Sequence, residues 1–186
     1  MDVYRSLFDG AVKVLQPRRF EDERGYFMES WREETLAEAL GMDLAFVQDN
    51  ESLSARGVLR GLHYQWDPPQ GKLVRCAHGK VLDVAVDLRR SSPTLGQAEV
   101  IELSADNRLQ IWIPPGFAHG FLSLTDDALV LYKCTARWSA EGESGLWPLD
   151  PELNINWPCA ADEITLSPKD AEAKTLADYL ADPVFD

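Results

Sequence analysis

Residues 81–88, VLDVAVDL, alternate in two sets: Leu82, Val84, Val86 and Leu88 against Val81, Asp83, Ala85 and Asp87. A period of two marks a β-strand. Shorter apolar runs follow at VIEL (100–103), LQIWI (109–113) and LVLYKC (129–134), separated by Pro, Gly, Asp and Asn clusters. Many short strands at a spacing of roughly 8–12 residues predict an all-β fold, a jelly-roll sandwich or barrel whose inward-facing residues line a mouth. Few helices are expected. Ser30-Trp31-Arg32-Glu33 reads as a capping box opening a helix through ETLAEAL to Gly41. Ser167-Pro168 predicts a second helix, with Leu176, Tyr179 and Leu180 as its apolar stripe. No repeat, low-complexity tract or linker divides the chain, so residues 1–186 are read as one domain.

Composition narrows the function. An apolar fraction of 45% with six tryptophans belongs to a packed globular protein. No apolar run of about 18 residues occurs, and MDVYRSLFDG lacks a basic-then-apolar leader, so a cytoplasmic protein without membrane contact is expected. The three cysteines, Cys76, Cys134 and Cys159, have no CxxC spacing and read as free thiols in a reducing compartment. A net charge of −13 argues against nucleic-acid binding. Eleven Asp and Glu lie in residues 140–186 against Lys169 and Lys174, which reads as a solvated acidic surface. An anionic ligand would need a local basic island, for which Arg24, Arg60, Lys72 and Lys169 are the candidates.

The densest chemistry lies in residues 57–75, GVLRGLHYQWDPPQGKLVR. His63 and Lys72 fall on neighbouring strand-like segments joined by the turn Pro68–Gly71. A base and a cation so placed suit proton abstraction beside a carbonyl, one taking the proton and the other steadying the enolate. His63 also fits a hydrogen-bonded core residue, and His119, after the turn PPGFAHGF, could equally satisfy buried backbone. His78, in AHGK, reads as a surface turn residue. Asp170, in SPKD, would sit in a helix first turn, where an aspartate either serves the helix dipole or reaches back to orient a histidine. Tyr132 is either packing or a proton donor facing a pocket. Small β-barrels often bind metal through an H-x-H pair, a carboxylate and a later histidine. Here the pair is H-Y-Q (63–65), too few donors remain, and neither a metal nor a cofactor is expected.

Long segments of the chain resemble the dTDP-4-dehydrorhamnose 3,5-epimerase family: DERGYFMES (22–30), FVQDNESLSARGVLRGLHYQ (46–65), QGKLVR (70–75), SPTLG (92–96), IPPGFAHGF (113–121), LYKCT (131–135), LDPELNINWP (149–158) and LSPKD (166–170). The resemblance implies a cupin-type jelly roll that works as a homodimer without metal on a dTDP-linked nucleotide sugar. It further implies His63 as base oriented by Asp170, Tyr132 as acid and Lys72 on the enolate. Arg24, Glu29, Gln48, Asn50, Arg60, His119, Glu143 and Lys169 match positions that contact the nucleotide sugar. Phe20 and Trp138 match positions near the thymine, and Asp83 would pair with His119.

Two positions depart from the family pattern. Trp138 replaces the usual tyrosine, keeping a stacking surface but losing a hydroxyl, and Glu51 stands where histidine is frequent. The implied activity is inversion of carbons 3 and 5 of dTDP-4-dehydro-6-deoxy-D-glucose. The alternatives are an epimerase for one of those centres, which Trp138 raises, and a nucleotide-sugar-binding module without catalysis.

Overall fold

The alternating runs pair into two antiparallel sheets. A computed structural model of the protein describes every residue from Met1 to Asp186. The six-stranded sheet has the order β1 (Asp2–Leu7), β2 (Val12–Gln16), β10 (Gln110–Ile113), β7 (Lys72–His78), β12 (Ala128–Cys134), β5 (Gln48–Ser54). The five-stranded sheet runs β13 (Glu143–Gly145), β6 (Leu59–Gln65), β11 (Phe117–Ser123), β8 (Lys80–Asp87), β9 (Ala98–Ser104). A separate hairpin pairs β3 (Arg19–Asp22) with β4 (Gly25–Met28). Consecutive strands often lie in opposite sheets, as in a cupin-type jelly roll.

Three apolar clusters explain the hydrophobic pattern. Between the sheets, Val12, Val14, Val74, Ile111, Val130, Val81, Ala85, Phe117 and Phe121 form the main core. Outside the five-stranded sheet, Leu62, Tyr64, Val84, Val86 and Leu88 pack under Leu146, Leu153, Leu176 and Tyr179 of the C-terminal segment. Outside the six-stranded sheet, Leu15, Leu73 and Trp112 meet Leu36. Both faces of β8 are therefore covered, so Asp83 is buried between the sheets on the same side as Val81 and Ala85.

The helices differ in detail from the sequence expectation. Helix α1 (Glu33–Leu40) ends at left-handed Gly41 as expected, but Arg32 occupies its N-cap without a side-chain bond. Ser30 is drawn off instead, its carbonyl accepting from Gln110 Nε2 at 2.7 Å. The helix expected after Ser167-Pro168 is two. The single turn α2 (Pro168–Ala171) is capped by Ser167 Oγ, and α3 (Leu176–Ala181) is capped separately by Thr175 with Asp178. Leu176 and Tyr179 are buried as predicted, with the Tyr179 hydroxyl donating to the Leu88 carbonyl at 2.7 Å, whereas Leu180 is exposed. No helix is long and apolar enough to cross a membrane, and all three cysteines are free.

Candidate active site

One cavity of about 610 Å³ opens between the two sheets, within the range of small-molecule sites. Its floor and walls come from alternation on each strand. On β5, Gln48, Asn50 and Ser52 face inward, and Tyr132 of β12 stands directly opposite Asn50. Lys72 starts β7 beside them. The facing sheet supplies His63 from β6 and His119 from β11, which are register partners. Gly61 and Gly120 permit this close pairing: a Cβ on Gly61 would lie 2.6 Å from the His119 carbonyl oxygen. Glu143, Trp138, Lys169 and Asp170 complete the rim.

Each histidine has its own carboxylate. His63 Nε2 lies 2.6 Å from Asp170 Oδ1. Burial works to raise the Asp170 carboxyl, but hydrogen bonds from His63, the Ser167 cap and the Gly61 backbone, with the charge of His63, outweigh it and hold the group below the usual range. Asp170 is then ionised at neutral pH and accepts from Nε2. That fixes one ring proton there, so the neutral form of the imidazole carries its lone pair on Nδ1. His119 Nε2 meets Asp83 Oδ2 at 2.8 Å, the pairing that the family resemblance implies. Asp83 is fully buried, its Oδ1 has no partner, and burial pushes its carboxyl up against the pull of His119.

The remaining groups are tuned by desolvation. Burial lowers the Lys72 ammonium, partly offset by the charges of Cys134, Glu143 and Asp83. Burial raises the Tyr132 phenol, which keeps it protonated across the working range. Burial also works to raise Glu143, but Lys169 and Trp138 outweigh it and keep this carboxyl low, with Lys169 Nζ bonded directly to Glu143 Oε2. Arg60 is steadied by donating from Nε to Ser54 Oγ at 3.0 Å. Arg60, Lys72 and Lys169 thus form the basic island that an anionic ligand would need in this acidic protein.

Three sequence candidates lie elsewhere. Phe20, Arg24 and Glu29 belong to the β3–β4 region and do not line the cavity of their own chain. Phe20 packs on Phe27, Arg24 engages Asp22, and Glu29 pairs with Arg32. Glu51 also lies off the cavity, on the exposed face of β5 opposite Leu131, so the departure at this position does not touch the pocket. Conversely, Ser52 was not singled out from sequence. Its hydroxyl is buried in the cavity lining without a partner, and the two-residue step from Gln48 and Asn50 was the signal. Among all residues, no group of three or more His, Cys, Asp or Glu side chains is gathered closely enough to hold a metal ion.

Known proteins share this architecture. The family model described as dTDP-4-dehydrorhamnose 3,5-epimerase matches residues 9–178. The dTDP-4-dehydrorhamnose 3,5-epimerase of Pseudomonas aeruginosa is 54% identical over 167 residues, covering 90% of this chain and 92% of its own. That of Methanothermobacter thermautotrophicus is 47% identical over 182 residues, covering 97% and 96%. The crystal structure of the 3,5-epimerase from Legionella pneumophila in complex with dTDP-4-keto-L-rhamnose superposes with a TM-score of 0.87 at 49% identity, covering 90% of this chain and 89% of that one.

Proposed function

The chain belongs to the dTDP-4-dehydrorhamnose 3,5-epimerase family, and from its site we propose that it inverts carbons 3 and 5 of dTDP-4-dehydro-6-deoxy-D-glucose to give dTDP-4-dehydro-L-rhamnose. One observation carries the mechanism: His63, bonded to Asp170 of α2, stands on one sheet, and Tyr132 stands on the facing sheet across the same cavity. A sugar ring lying between the sheets meets a base on one face and an acid on the other. The 4-keto group acidifies the hydrogens on both neighbouring carbons. His63 takes each proton through Nδ1, and the C–H electron pair moves into an enolate whose oxygen Lys72 steadies. Tyr132 returns a proton to the opposite face, which inverts the centre. Between the two rounds His63 releases its proton to solvent and Tyr132 regains one, and a ring shift brings the second carbon to the same base. The chemistry is redox-neutral proton transfer, so the reading includes no cofactor or metal.

Arg60, Lys169, Gln48, Asn50, His119 and Glu143 surround this centre and suit the polar sugar and diphosphate. Trp138, 59% exposed at the rim, offers a face to the nucleotide base. Phe20, Arg24 and Glu29 do not line their own chain's cavity, which favours their reaching a nucleotide from another copy. The β3–β4 hairpin leaves Phe20, Tyr26 and Phe27 substantially exposed, which suits it to cover a second subunit's site in a homodimer. Free thiols and a nucleotide-sugar substrate suit a cytoplasmic setting.

Trp138 also keeps the single-centre epimerase as a second reading, because it lacks the tyrosine hydroxyl. Incubating chelator-treated protein with dTDP-4-dehydro-6-deoxy-D-glucose in heavy water, then analysing the sugar by NMR, separates the two. Inversion with deuterium at both carbons is expected. Inversion at one carbon only would establish the second reading, and recovery of unlabelled substrate would overturn both.

A further inference from the structure

Gln65 ends β6 two residues beyond His63 and is buried, and it does not line the cavity. Its Nε2 donates to the carbonyls of Pro68 at 2.8 Å and Arg137 at 2.9 Å, and its Oε1 accepts from the Ser139 amide at 2.9 Å. These bonds grip the backbone on both sides of Trp138. Two further glutamines act on the same segment. Gln48 Oε1 accepts from the Trp138 amide at 2.8 Å, and Gln70 Nε2 donates to the Ala136 carbonyl at 2.8 Å. Four successive residues, Ala136 to Ser139, are thereby fixed by side-chain amides where no strand partner exists.

We infer that Gln65 is a positioning residue that pre-places Trp138 at the cavity rim, an inference that rests on reading Trp138 as the aromatic that meets the nucleotide base. A loose segment bearing an exposed indole must be ordered when ligand binds, and that ordering weakens affinity. Gln65 removes the cost in advance. Because the Gln65 side chain is itself buried, a variant that removes its amide leaves these backbone groups without their partner. Its place on the His63 strand also ties the aromatic rim to the strand that carries the base.

The test measures dTDP dissociation constants by calorimetry for wild type, Gln65→Leu, Trp138→Ala and the double variant. Gln65→Leu should weaken binding by about three- to tenfold when Trp138 is present and have no further effect in Trp138→Ala. Equal weakening in both backgrounds, or none in either, would overturn the inference. Acrylamide quenching of the Trp138 emission, taken as the difference between each protein and its Trp138→Phe counterpart, reports the clamp independently of ligand. It should rise in Gln65→Leu, and an unchanged quenching constant would also count against the clamp. If Trp138→Ala alone leaves dTDP affinity intact, base stacking fails while quenching still judges the clamp. Gln65→Met, unbranched and close in length, removes the same bonds and gives the same pattern should leucine prevent folding.

Discussion

Among single residues, Lys72 has the most decisive charge. Burial disfavours its charged form and lowers its pKa below that of an ordinary lysine, about 10.4 in water. The enolate needs the ammonium, so kcat/KM, which reports the free enzyme, should fall on the alkaline side with a midpoint below that value. Tyr132 is moved the other way by its own burial, so its ionisation lies further up. Lys72→Arg keeps a charge that does not titrate, and the alkaline limb should shift upward although the bulkier group slows the reaction. Lys72→Met should cost on the order of 10²–10³ in kcat, the scale of losing one charge-stabilising donor. An alkaline midpoint that stays in place in Lys72→Arg would assign that limb to another group.

Elements determined how much could be read in advance. The β8 run was legible because its residues alternate: Val84 and Val86 turn to the C-terminal segment, while Val81 and Ala85 turn to the main core on a face interrupted by aspartates. Strand β5, QDNESLS, gave no hydrophobic signal because its inward side chains, Gln48, Asn50 and Ser52, line a cavity instead of a core. The pairing of His63 with Asp170 spans 107 residues and depends on α2 docking beside β6, which no local pattern encodes. The split between α2 and α3 is by contrast local: Thr175 with Asp178, three residues on, forms a second cap inside what reads as one apolar stripe. Family likeness supplied these long-range partners, and geometry then gave each a physical cause.

At the scale of the whole molecule, the hairpin makes a prediction about assembly. If Arg24 acts in the cavity of a second copy, neither Arg24→Ala nor His63→Asn chains alone will be active. A hybrid dimer has one site carrying both changes and one carrying neither. Mixing the two variants after mild dissociation should then restore up to about a quarter of wild-type activity, the statistical share for a two-fold assembly. A mixture as inactive as its components would place Arg24 outside the partner's site. The central claim, however, is that the two sheets act on opposite faces of one sugar. Tyr132→Phe removes only the hydroxyl, leaving His63, Asp170 and Lys72 to form the enolate and reprotonate it from the side of departure. Deuterium incorporation at carbons 3 and 5, followed by NMR and mass analysis of the recovered sugar, is the most direct measure of this division. The account predicts exchange without inversion in Tyr132→Phe and neither in His63→Asn; full inversion by Tyr132→Phe, or exchange surviving in His63→Asn, would contradict it.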